Sequence, residues 1–105
     1  MVFGFGKKKL SEPMKVNLAM EVAMYMRWGT ENDKGVLPGG SFLQSMEVII
    51  AGVLKRENYR YTDDDISVIK IHAMTLPLDR VDEMRKTTRF DEQVQGFERS
   101  IGLRG

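Results

Sequence analysis

The side chains in this sequence that could carry chemistry are few, and they do not gather into a motif. His72 is the single histidine and there is no cysteine, which excludes thiolate metal sites and disulfides. With no second His or suitably spaced carboxylate near it, His72 forms neither half of a catalytic dyad nor a ligand set, and a hydrogen-bonded interior histidine is expected. Asp63, Asp64 and Asp65 are three adjacent carboxylates directly after Thr62. Adjacent helical side chains diverge by about 100°, so these three do not converge on one ion, and no EF-hand spacing accompanies them. Gly35 and Gly40 have the spacing of a phosphate loop, but Ser41 follows where that motif requires lysine, and the preceding segment reads as helix. Only the general capacity of a helix N-terminus to hold an anion remains. In the run K-R-E-N-Y-R-Y (55–61), basic residues alternate with tyrosines. Such a run can grip single-stranded nucleic acid, although a cationic helix C-terminus followed by half-buried tyrosines explains it more simply.

An enzyme needs a nucleophile with its base, paired carboxylates in an apolar setting, or a metal. None is legible, so the expectation is a non-enzymatic protein with no cofactor, no metal and no small-molecule substrate.

Composition agrees with a soluble globular chain: 105 residues, 42% hydrophobic and 30% charged, with a net charge of +1. Residues 1–61 carry nine Lys/Arg against six Asp/Glu, and residues 62–105 seven against nine, an imbalance too small to define a partner. No run approaches the ~18 apolar residues of a membrane span. The opening M-V-F-G-F-G-K-K-K places its charges after its apolar part, the reverse of a secretory signal, and a cytoplasmic protein is expected. Residues 1–10 read as a flexible basic N-terminal tail, with a weak anchor to an anionic surface as the alternative, since three lysines contribute only about 3 kcal/mol there. Residues 11–105 read as one helical domain.

The elements that would position any site are helices. Ser11, Glu12 and Pro13 mark the start of a first helix over 13–28 that stops at Gly29. A loop rich in Gly and Pro follows over 30–40. The second helix, over 41–57, has a wide stripe of Phe42, Met46, Ile49 and Val53, flanked by Leu43, Ile50 and Leu54. It reads as the central one, opened by a Ser41/Gln44 capping box. Thr62 caps a third helix over 63–74, and the break at Thr75-Leu76-Pro77 leads into a fourth over 78–87 with Leu78, Val81 and Met84 on its apolar side. Thr88 is the preferred cap of a fifth helix over 89–101. There Phe90, Val94, Phe97 and Ile101 lie within about 60° of one another, and Gly102 closes the end. The fold class is all-α, a compact bundle of four to five helices.

The first helix carries the functional expectation. Apolar residues cover almost its whole circumference, which requires either a central place in the domain or a second chain. A chain this short can hardly surround two such helices, so self-association, or capture of another protein, is expected through Met14, Leu18, Met20, Met24, Met26 and Trp28. The alternative is a helix-turn-helix DNA-binding regulator over residues 66–87. Leu76 would plug its turn, and Arg80, Arg85, Lys86 and Arg89 would meet DNA. Asp79, Asp82 and Glu83 on the same helix, and the absence of glycine from the turn, weigh against it.

Overall fold

The computed structural model describes residues 7–32 and 42–103, with residues 42–44 described by backbone alone. Among these residues the chain forms five α-helices, α1 (Glu12–Glu31), α2 (Phe42–Arg56), α3 (Asp63–Thr75), α4 (Leu78–Thr88) and α5 (Val94–Ser100), with a 3-10 turn at Phe90–Gln93 before the last. This is the all-α bundle that the helical periodicities imply.

Helix ends follow local chemistry. Ser11 caps α1 through its Oγ, which accepts from the Met14 N–H, and Pro13 lies in the first turn. Gly29 does not end α1. It stays buried, and the helix runs on to Asn32, whose backbone N–H and side-chain amide both donate to the Trp28 carbonyl. Thr62 and Asp65 form a reciprocal capping box at α3. α2 closes in a Schellman motif: Asn58 takes the left-handed conformation (φ 60°), its N–H donates to Lys55, and the Tyr59 N–H donates to Leu54. Gly102 closes α5 in the same way at φ 82°, with the Leu103 N–H on the Glu98 carbonyl. The Ser41/Gln44 capping box lies outside the described residues and side chains.

Two expectations change at the C-terminal end. Thr88 does not cap a new helix. It is the last residue of α4, its hydroxyl donates to the Met84 carbonyl, and Arg89 follows in the left-handed conformation (φ 56°). The single helix over 89–101 is therefore a 3-10 turn running into a short α-helix. Its stripe still faces inward, with Phe90, Val94 and Phe97 buried and Ile101 packed on the core. Gly52 makes this docking possible, because a Cβ there would lie 2.9 Å from both the Cβ and the carbonyl oxygen of Ile101.

The hub of the bundle is α1, not α2. α1 packs against α2, α3 and α4, and Tyr25 reaches Phe97 of α5 at 5.0 Å between ring centroids. Leu18, Ala19, Val22, Ala23, Met24, Tyr25 and Met26 are all buried. Being apolar nearly all round thus reflects a central position within the chain's own domain. α2 contributes Met46, Ile49, Ile50, Val53 and Leu54 to the same core. Each such side chain, fully buried, stabilises by roughly 1.5–3 kcal/mol.

The end of the basic tail is tied down. The Lys8 N–H donates to the Asn58 carbonyl at 2.8 Å and the Arg60 N–H donates to the Lys8 carbonyl at 2.9 Å, a single parallel β-bridge. Leu10 packs on the core beside it. Residues 1–6 lie outside the described residues.

Candidate functional site

An apolar concave feature lies where α3 turns into α4. Thr75 ends α3, its hydroxyl donating to the Ile71 and His72 carbonyls, and Pro77 sets the entry to α4, its carbonyl accepting from the Val81 N–H. With Leu76 half-buried in the turn, the two helices diverge over α1 and leave a cavity of about 290 Å³. Its wall is apolar: Ala23 and Met26 from α1, Met46 from α2, Ala73, Met74 and Leu76 from α3 and the turn, and Leu78 and Val81 from α4. At the mouth Met74 and Leu78 are 56% and 59% exposed, and Ile71 one turn back is 58% exposed. Met14, Val16, Val48 and Met84 are also exposed among the described residues, but Ile71, Met74 and Leu78 are the most exposed of these large apolar side chains and gather beside an apolar cavity.

The polar groups near this cavity are committed elsewhere. Arg27 donates to both oxygens of Asp82, through Nε at 3.1 and 3.4 Å and through Nη2 at 3.2 Å. Arg85 donates to Asp82 at 3.0 Å, to Glu31 at 2.9 Å and to Asp91 at 2.7 Å. The result is a seam of five charged groups joining α1, α4 and the 3-10 turn. The hydrogen bond from Arg27 does most to hold the Asp82 carboxyl below the usual carboxylate range, against a smaller opposing effect of burial. Hydrogen bonds to Asp91 and then Glu31 hold the Arg85 guanidinium firmly protonated. At the cavity wall the Thr30 hydroxyl donates to the Met26 carbonyl. An occupant of this cavity is therefore selected by shape and apolar area.

The residues singled out from sequence are divided between core and surface. Leu18, Met24 and Met26 are buried by the chain's own helices, Met20 and Trp28 are half-buried against the core, and Met14 is exposed. Of the four cations assigned to DNA, Arg85 is largely buried in the seam, and it lines one shallow groove with Lys86 and Arg89 among the carboxylates Asp82, Asp91 and Glu92. Arg89 sits at the C-terminal cap of α4 and pairs with Glu92 at 3.1 Å. Arg80 and Lys86 are exposed, but Asp79 and Glu83 share that face with them. His72 is half-buried on α3, not interior. Among the described residues no cluster of three or more His, Cys, Asp or Glu is placed to hold a metal ion. Leu78 and Met84, read as core-facing with Val81, are exposed, and only Val81 is buried.

Sequence reasoning did not single out Ile71, Met74 and Leu78 as a surface group. The available signal was angular. Ile71 and Met74 fall well away from the arc of Ile66, Ile69 and Ala73 on a helical wheel, and apolar residues off the core arc are candidates for contact with something else.

No protein-family model matches this chain, and neither curated proteins nor solved structures gave a significant match to it. No helix among the described residues is long and apolar enough to cross a membrane.

Proposed function

We propose that this protein is a non-enzymatic helical interaction module that forms a homo-oligomer through the α3–α4 corner. One observation carries the reading: the apolar cavity has Met74 and Leu78 standing exposed at its mouth, with Ile71 beside them. A ridge of large side chains next to an apolar hollow is self-complementary. Under a two-fold axis, the ridge of one copy fills the hollow of the other. The exposed face of α4 supports a second copy as the occupant. Asp79 and Glu83 stand ahead of Lys86 along it, so two α4 helices crossing antiparallel set acid against base. Self-association was also the expectation from the apolar first helix, and the surface moves because α1 is largely covered from within. We place the module in the cytoplasm as part of the same proposal, in keeping with a chain that has no cysteine.

Sedimentation velocity across the micromolar range tests it. The expected result is a mass that rises from one chain to two with concentration. Leu78→Glu and Met74→Glu should each return the chain to one-chain mass, whereas Met14→Glu on the exposed start of α1 should leave association unchanged. A single-chain mass throughout overturns self-association. Association that survives both corner substitutions overturns this surface.

A further inference from the structure

The chain has eight methionines and no cysteine, so its sulfur redox chemistry falls to thioethers alone. The fold grades them by access. Met24, Met26 and Met46 are buried and Met20 is half-buried, whereas Met14, Met74 and Met84 are exposed at 39%, 56% and 36%. The most exposed of the described methionines is thus the one at the mouth of the α3–α4 cavity, with Met26 and Met46 in the wall behind it. That wall is a poor host for a further polar atom. Its two polar side chains, Arg27 and Thr30, already donate to Asp82 and to the Met26 carbonyl.

We infer that Met74 is a reversible oxidation site through which peroxide controls association at this corner, an inference that rests on the oligomer proposed above. Hydrogen peroxide, a two-electron oxidant, supplies the oxygen. A lone pair of the Met74 Sδ attacks one peroxide oxygen, the S–O bond forms and the O–O bond breaks. The departing hydroxide takes the proton from the transferred oxygen and leaves as water. The product is a sulfoxide, which thiol-dependent reductases return to the thioether with release of water. Oxidation turns a flexible apolar side chain into a polar one whose oxygen requires a hydrogen bond. Water meets that requirement on the free chain, and the apolar hollow of a second copy does not. Each sulfoxide should therefore weaken association about tenfold, or about 100-fold for a two-fold pair with both copies oxidised. By the same burial, association shields Met74, so its oxidation should slow as protein concentration rises. Met14, on the exposed start of α1, gains no such shielding.

Brief treatment of the full chain with hydrogen peroxide, at low and at high micromolar concentration, tests this. Peptide mass spectrometry reads the oxidised positions and sedimentation velocity reads the association. Met74 is expected to oxidise ahead of Met14 and Met84 at low concentration and to be protected at high concentration, with Met14 equally reactive at both. The dissociation constant should rise about 100-fold and return after treatment with methionine sulfoxide reductase. An unchanged melting temperature at low concentration serves as the fold check on the oxidised chain. Met74→Leu keeps the apolar side chain without its sulfur, so it should associate like the parent and go on associating after peroxide. Loss of association in peroxide-treated Met74→Leu overturns the inference, as does Met74 oxidation that proceeds equally at both concentrations. A one-chain mass before any peroxide overturns the oligomer and this inference together. Association that Leu78→Glu abolishes but Met74 oxidation leaves intact overturns this inference alone.

Discussion

The two ends of α4 are held by opposite means. Toward its C-terminus, Asp82 and Arg85 are locked into the seam with Arg27, Glu31 and Asp91. At its N-terminus, Leu78 leans over an open apolar cavity and meets water. A single eleven-residue helix thus carries a saturated polar contact and an unsatisfied apolar one. The difference teaches where to look for function in a small domain. A group whose partners all lie within the chain explains the fold, whereas large apolar side chains left facing water beside a hollow invite something from outside it.

The largest expected effect comes from breaking the closed end. Arg85→Ala removes a buried guanidinium and leaves three carboxylates without their shared partner. A fully buried pair broken this way costs about 3–5 kcal/mol, but Glu31, Asp82 and Asp91 are half-exposed and can take water instead, so about 2–3 kcal/mol is expected. For a domain of this size that is a fall in melting temperature of roughly 10–20 °C. Arg85→Met keeps the packing of the alkyl stem, so it should recover part of the loss and separate packing from charge. Equal melting temperatures for Arg85→Ala and the parent protein would show that the seam does not hold α4.

A smaller effect follows from pH. The folded Asp82 carboxyl titrates below its usual range, chiefly through the hydrogen bond from Arg27. A depressed folded pKa contributes stability that is fully present above the unfolded value of about 3.9 and is lost as pH falls through the folded value. Asp65 behaves likewise. Burial pushes it up, but the Thr62 backbone N–H and then Lys15 bring it below the ordinary range. Stability should therefore decline from about pH 5 downward. Chemical denaturation of Asp82→Asn across that interval should give a shallower decline than the parent. An identical slope would mean that Asp82 contributes nothing to acid sensitivity.

Much of this fold was legible in residue types and spacing, for physical reasons that can be named. The Thr62 cap and the cap at Gly102 are local, settled by side chains and φ angles within a few residues. The buried stripe Phe90, Val94, Phe97, Ile101 was also legible, because an amphipathic face survives a local change of helix type. The break at Arg89 was not, since a left-handed arginine carries no compositional mark. The role of α1 was misjudged for a different reason. Its few charged residues do not stand free of the bundle: Lys15 pairs with Asp65, Glu21 with Arg56 and Arg27 with Asp82. Charged residues that pair across helices let neighbours cover α1 from Leu18 to Gly29, so the surplus of apolar surface inferred from periodicity was too large. The candidate site was the least legible part, because it depends on how far α3 and α4 diverge, which no single helix encodes.

The smallest stability effect bears most directly on the open end. Leu78 and Val81 are both apolar, lie three residues apart on α4 and line the same cavity, but Val81 is only 1% exposed and Leu78 is 59% exposed. Val81→Ala deletes two buried methyl groups and should cost about 2 kcal/mol, from lost transfer energy together with the space left behind. Leu78→Ser removes a side chain that the isolated chain leaves in water, and its stability at low concentration should change by no more than about 0.5 kcal/mol. If Leu78 instead belongs to an interface, the two substitutions should converge as concentration rises. Association stabilises the folded chain by mass action only while the leucine is present to bury, so the parent gains stability and Leu78→Ser does not. Thermal unfolding of both variants and the parent, at low and at high micromolar concentration, measures this convergence. A Leu78→Ser deficit that stays constant across that range would place Leu78 outside any contact between chains.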